Sequence, residues 1–233
     1  MLFLAVFCGF LAEYQLEHKI ERDRVKEFSK SLVQDLQNDT AAIIVQNKSA
    51  ATYIALSDSL LRLSKTRLEG RNAAEFSFYT RFMYWTVPIS WNRATFEQIK
   101  NSGSLRYFKN HSLLKKLMKY DVLVNEVNSE FNNHQIRGNM LLTMINSIIE
   151  PEYHHQLSKY FLWSLDTISK KTMENIFSAK TKSLENRREK IREMLNMMVV
   201  QQRNLRYGDI RIQNAKTLAN ELINDLKKEY HLK

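Results

Sequence analysis

Met1 to Leu36 constrains this chain more than any other stretch. Met1 to Ala12 reads Met-Leu-Phe-Leu-Ala-Val-Phe-Cys-Gly-Phe-Leu-Ala, an almost unbroken apolar run, and it passes into a charged segment with neither Pro nor Gly after Gly9. With no breaker in the way, the whole stretch is expected to be helical. At ~1.5 Å rise per residue the apolar run covers roughly 18 Å of a hydrocarbon layer ~30 Å thick, little more than half a span. No basic residues precede it, and Phe10-Leu11-Ala12 lacks the small-residue pattern of a leader cleavage site. A lipoprotein signal does not fit either, because Phe7 stands where a small residue should precede Cys8. Residues 1–12 are therefore expected to be the C-terminal part of a truncated transmembrane helix, and residues 13–233 a single helical bundle domain. A buried N-terminal helix of a soluble protein is the alternative.

Beyond Glu13, apolar residues recur at helical spacing through Ile20, Val25, Phe28, Leu32 and Leu36, with Glu21, Arg22, Asp23, Arg24, Lys26 and Glu27 between them. One stripe faces a core and the mixed charges face water. The whole chain follows the same rule. Five Gly and two Pro in 233 residues leave few places to turn. Long runs of Leu, Lys, Glu, Asn and Gln favour an all-α protein, a long-helix bundle. The lone Cys8 excludes intramolecular disulfides and cysteine-rich metal sites.

The expected helices follow from breakers and caps. Ile43, Ile44, Ala51, Ile54, Leu61 and Leu68 continue the first helix, which Gly70 ends. Asn72 is the expected N-cap of a second helix reaching Trp85 and carrying Phe76, Phe78, Tyr79, Phe82 and Tyr84, until Val87-Pro88-Ile89 breaks it. So many aromatic residues exceed one stripe. They are expected to plug the space between crossing helices, with an aromatic ligand pocket as the alternative. From Thr95 to Asn110 the sequence predicts a short helix and a tight corner: Thr95 and Gln98 as a capping box, Gly103 as left-handed C-cap, Asn110 as cap of the next helix. A long helix then spans His111 to Glu150, loosened at Gly138. Pro151 opens another, carrying Leu157, Tyr160, Phe161, Trp163, Leu165 and Ile168. A basic helix from about Thr181 to Tyr207 closes at Gly208, and a last one carries Ile212, Leu218, Leu222, Ile223 and Leu226.

The N-terminal apolar segment, the stem Phe-Leu-Ala-Glu-Tyr-Gln-Leu-Glu-His-Lys-Ile-Glu-Arg-Asp-Arg, the stretch Ser31-Leu-Val-Gln-Asp-Leu and the corner Thr95 to Asn110 together resemble an uncharacterised family of bacterial single-pass membrane proteins with a helical domain of unknown function. The resemblance covers residues 1 to about 125. It implies a membrane-anchored helical domain with no assigned activity and no catalytic residues to carry over. The chain departs from the family pattern in starting part-way through the anchor. Relatives of this type place the domain outside the cytoplasm, whereas Lys19, Arg22, Arg24, Lys26 and Lys30 after the apolar run argue for a cytoplasmic flank. An extracytoplasmic domain is the expectation.

Motifs for chemistry are missing: there is no G-x-S-x-G, phosphate loop, H-E-x-x-H or zinc spacing. His154 and His155 near Glu150 and Glu152 point to different parts of a helix surface and do not make a metal site. No catalytic, cofactor-binding or metal residue is therefore assigned, and no cofactor is expected. The net charge of +10 collects toward the C-terminus. Its densest part, Lys180 to Arg192, interleaves Glu185 and Glu189 with Arg188 and Arg192, as a self-paired helix surface does. Met194, Met197 and Met198 read as adaptable packing. The expected function is that of a non-enzymatic, membrane-anchored interaction or sensory domain, joined through its helices to itself or to another protein. The alternative is a cytoplasmic basic protein binding nucleic acid or anionic lipid; no nucleic-acid motif supports it.

Overall fold

The computed structural model describes residues 2–85 and 87–232, and the side chains of 2–5, 156, 163 and 164 lie outside the description, Trp163 among them. Among the described residues every regular element is helical. The α-helices are α1 (Leu2–Leu63), α2 (Gly70–Thr80), α3 (Ala94–Asn101), α4 (His111–Asn146), α5 (Pro151–Gln156), α6 (Lys170–Phe177) and α7 (Arg188–Glu229). Short 3-10 turns cover Ser104–Tyr107, Leu162–Thr167 and Glu185–Arg187. The chain is thus an all-α protein of long helices. No helix among the described residues is long and apolar enough to cross a membrane.

Two compact units divide it: Met1–Ile43, Ile89–Asn125 and Gln213–Lys233 form unit 1, and Ile44–Pro88 with Glu126–Ile212 form unit 2. Residues of α1, α4 and α7 contribute to both. In unit 1 the core joins Val25, Leu32 and Leu36 of α1 to Leu113, Leu117 and Val124 of α4, and to Ala215, Leu218, Ala219, Leu222 and Leu226 of α7. The four-and-three spacing of each set is what lays it on one helix face. Ala215 and Ala219 are fully buried, so small side chains meet the neighbours where space is least. Ile20, expected in the stripe, is exposed.

The corner of unit 1 has the predicted left-handed glycine and an unpredicted cap. Gly103 follows α3 with φ 69°, and its N–H reaches the Lys100 carbonyl at 3.2 Å, closing the helix. Asn110 caps α4, its Oδ1 accepting the Leu113 N–H at 3.1 Å. Thr95 does not cap α3, because the helix begins one residue earlier and no side chain of its own first turn serves as cap. Asp35 of α1 takes the Thr95 N–H instead, at 3.3 Å. A carboxylate from a neighbouring helix satisfies the same orphan donor and suits the positive end of the helix dipole.

In unit 2, α2 packs its aromatic side in the core. Phe76, Phe78 and Phe82 are buried, and Phe78 meets Phe82, Phe177 and Tyr160 edge-to-face with ring centroids 5.3, 5.7 and 6.2 Å apart. Such edge-to-face pairs add about 0.5–1.5 kcal/mol each beyond the area they bury. Met194 and Met198 are fully buried in the same core. Ile44, expected to continue the apolar stripe of the first helix, is exposed, as is Val199 of α7.

Several expected helix ends move: α2 ends at Thr80 and not at Trp85, α4 at Asn146 and not at Glu150, and α7 starts at Arg188 and not near Thr181. The first helix stops at Leu63, before Leu68 and Gly70, because residues 64–68 are held as a turn by the start of α7 and the 3-10 turn before it. There Arg188 donates to the Ser64 carbonyl at 2.6 Å and to that of Thr66, while Glu185 accepts the Leu68 N–H at 2.5 Å. Asn72 is not an N-cap. The second helix starts at Gly70, and the Asn72 amide donates back to Thr66 Oγ1 and the Arg67 carbonyl. Pro151 does open a helix, but α5 is only six residues long, and Leu162 to Thr167 form a separate 3-10 turn. Gly208 ends nothing, since α7 runs through it as one helix of 42 residues.

Gly138 also reads differently in place. The helix α4 is unbroken there, and a Cβ on Gly138 would stand 2.5 Å from the Tyr84 carbonyl oxygen. The glycine lets the backbone after α2 lie directly on α4.

Candidate functional site

Three places combine exposure or burial with chemistry. The first is the start of α1. Val6, Phe7, Phe10, Leu11, Tyr14, Leu16 and Ile20 are 46–67% exposed, on a helix that from Val25 onward is buried in the unit 1 core. Seven large apolar side chains within fifteen residues, on more than one face, are far from the scattered single exposures that need no explanation.

The second is a polar cluster inside unit 1. Asp39, fully buried on α1, accepts the Asn92 N–H at 2.6 Å, the Asn92 side-chain amide at 3.2 Å and the Tyr120 hydroxyl at 2.8 Å. Burial pushes the Asp39 carboxyl above its ordinary value against the pull of these donors, and it pushes the Tyr120 phenol up as well. Beside them Arg93 makes an ion pair with Asp121 and another with Glu97 at 3.1 Å, its guanidinium 5.0 Å from the Phe96 ring centroid. Each acceptor is occupied by a donor that fixes the segment before α3 onto α1 and α4. The cluster is a clamp.

The third is a groove of about 580 Å³ in unit 2, walled by Ile44, Val45, Leu56, Phe78, Leu165 and Met173. At its edge Lys48 and Asp166 pair at 2.5 Å, and the Lys48 ammonium holds the Asp166 carboxyl below its usual range. Tyr79 lines the groove too; burial first, then Glu75, push its phenol up to about 12. Thr52 turns its hydroxyl to the Lys48 carbonyl at 3.0 Å. These groups offer an apolar surface with a charged pair at the edge, the kind of concavity that can hold an apolar group.

A further buried polar set lies in unit 2. His134 Nδ1 and Gln201 Oε1 are 3.2 Å apart, Arg137 donates to the same oxygen at 2.8 Å, and burial holds His134 below its ordinary value. The residues weighed for a metal are apart in role: Glu150 pairs with Arg187 at 2.6 Å and Lys182 at 3.3 Å, and His154 is half-buried while His155 is exposed. Among the described residues no group of three or more His, Cys, Asp or Glu is placed to hold a metal ion. Of the basic stretch 180–192, Arg188 pairs with Glu185 at 2.5 Å.

Beyond the apolar start of α1, the sequence also held signals for the groove and the polar cluster. Three consecutive apolar residues, Ile43-Ile44-Val45, cannot all face one core from a helix. Asp35 and Asp39 stand four apart, hence on one helix face, where they meet Thr95 and Asn92. The salt bridge Lys48 to Asp166 joins residues distant in sequence and leaves no local trace. Compared with known protein families, curated proteins and solved structures, the chain matches none.

Proposed function

We propose that this chain is a non-enzymatic, membrane-anchored helical interaction or sensory domain, similar to the uncharacterised single-pass bacterial proteins that its stem and corner resemble. In this reading residues 1–12 belong to the anchor, and the remainder lies on the extracytoplasmic side. Its partner is a second copy or another protein engaged through the helices. The observation that carries the reading is the exposed apolar start of α1, Val6 to Ile20, continuing without a break into a helix that both units use as core. Burying those side chains is worth on the order of 1.5–3 kcal/mol each for the larger ones, a strong drive toward lipid or protein. A chemical role has less behind it, because the strongly perturbed groups Asp39, Tyr120 and His134 are each occupied by packing partners.

Fractionation of cells expressing the full gene product with a C-terminal tag tests the anchor and the side together. The tag should sediment with membranes and be digested by protease added to intact spheroplasts. A tag released into the soluble fraction refutes the anchor, and one protected until the membrane is opened refutes the extracytoplasmic side. In vivo crosslinking followed by mass analysis should return a second copy or a discrete partner; a monomer that turns over a metabolite in an open substrate screen would overturn the interaction reading.

A further inference from the structure

Just past its exposed apolar start, α1 helps to line two adjoining concavities of unit 1 that carry several cations. One of about 520 Å³ is lined by Lys19, Arg22, Lys26, Lys109 and His231, with Glu21, Asp23 and Glu229 also on its wall. The next, about 500 Å³, shares Lys26 and His231 and adds Lys30 and Lys227. Of these acids, Glu21 lies 3.2 Å from His18 and Glu229 accepts the Asn110 amide at 3.0 Å, while Lys30 is itself paired with Glu27 at 2.6 Å. Elsewhere in unit 1 some cations are answered, while Lys115, Lys119, Lys216 and Lys228 make no ion pair among the described residues. Lys116 bridges Asp225 at 2.8 Å and Glu221 at 3.2 Å, and Arg93 pairs with Asp121 and Glu97. Lys19, Lys26 and Lys109 are exposed and make no ion pair among the described residues. Of the unpaired cations of unit 1, these three line the concavity next to the exposed apolar turns of α1.

We infer that this collar binds the headgroups of anionic phospholipids, so that unit 1 docks on the membrane surface beside its own anchor. The inference rests on the membrane reading above. Position along the helix supports it. Ile20 is the last of the exposed apolar side chains at this end of α1, and at ~1.5 Å per residue Arg22 and Lys26 lie only about 3 and 9 Å beyond it. A headgroup layer is roughly 5–8 Å deep, and a surface potential reaches about 8–10 Å further at physiological salt. Lysine stems are long enough to carry their ammonium groups into that layer while their methylenes rest on the apolar turns. A nucleic acid would meet the same charges, but it would leave Phe7, Phe10, Leu11 and Leu16 in water.

The full chain, mixed with equal amounts of neutral phosphatidylcholine vesicles and of vesicles containing phosphatidylglycerol as well, gives the test. Insertion of the apolar start is common to both populations, so the ratio of bound protein between them reports the collar alone. The parent protein should favour the anionic vesicles. The triple variant K19Q/K26Q/K109Q should lose on the order of a hundredfold of that preference, taking each cation near an anionic surface as about fivefold. Its melting temperature should stay that of the parent, because all three side chains are exposed. Equal binding of the parent to both vesicle types overturns the collar and leaves the anchor standing; binding to neither refutes the membrane reading itself. A preference unchanged in the triple variant also overturns the proposal. So does a DNA duplex that strips the parent from anionic vesicles at matched phosphate, since the site would then be one for polyanions in general.

Discussion

Gly138 and Gly208 make a paired test of how this fold uses glycine inside helices. Intrinsic propensity treats them alike: Gly→Ala in a helix interior gains about 0.5–1 kcal/mol. Packing separates them. On Gly138 a Cβ would sit 2.5 Å from the Tyr84 carbonyl oxygen, where a carbon and an oxygen normally stop at about 3.3 Å. The obstacle is backbone, so it cannot swing away as a side-chain tip would. Overpacking of this kind costs about 1–3 kcal/mol and exceeds the propensity gain. On Gly208 the nearest atom to a Cβ is His134 Nε2 at 3.9 Å, an ordinary contact, so the propensity gain stands.

G138A should therefore lose about 1–2 kcal/mol and G208A should gain about 0.5–1 kcal/mol, net of those opposing effects. For a chain of this size each kcal/mol moves the melting temperature by about 2–4 °C. Helical circular dichroism followed through urea and thermal unfolding reads both. A G138A protein as stable as the parent would refute the close approach of Tyr84 to α4. A destabilised G208A would refute the argument that α7 is an ordinary continuous helix at that position.

Three further outcomes follow from the same structure. G103V should cost about 1–2 kcal/mol from backbone strain alone, since φ is 69° and nothing lies within 4 Å of the added Cβ; an unchanged melting temperature would remove the left-handed assignment. D39A strands the Asn92 N–H and the Tyr120 hydroxyl and should cost about 2–4 kcal/mol, whereas D39N keeps one acceptor and should cost visibly less; equal losses would sink the clamp. His134, held low by burial, refuses a proton that the unfolded chain accepts, so its contribution to stability is complete above about pH 6.5 and is lost as pH falls toward its lower folded value. Urea midpoints measured across that window should flatten in H134Q, though not fully, because burial lowers His154 too; an unaltered slope would refute the assignment.

Helical periodicity carried the fold class, and local chemistry carried those caps whose partners are close in sequence. Gly103 and Asn110 act within three residues of themselves, which is why the corner was legible. Thr95 and Asn72 look like caps by the same local rules, yet Asp35 supplies the α3 N-terminus from sixty residues away and α2 starts before Asn72. The end of α1 depends on Arg188 and Glu185, more than a hundred residues on. A helix end set by a distant side chain is invisible to any window of sequence. Glycine misled for a related reason: Gly208 and Gly138 both sit inside helices, one with room for a Cβ at ordinary contact and one under a neighbour's backbone, and only the packing tells them apart.

The candidate site divides along the same line. The apolar start of α1 was plain from composition, whereas the collar cations Lys19, Lys109 and Lys227 come from three separate segments. Their assembly matters for how such a domain would signal. On α1, Asp35 and Asp39 tie the helix to the Thr95 and Asn92 amides and to Tyr120. Sliding α1 by even one residue would strip those buried groups of partners, at about 1–3 kcal/mol for each. If α1 is anchored as proposed, small displacements of the anchor would therefore not be passed along by a helix moving through unit 1. They would carry unit 1 with them, the proposed collar included. A change in lipid charge or in the pairing of anchors would then reorient unit 1 as one body against the bilayer, and crosslinks from Lys109 to headgroups should form or vanish together with those from Lys26.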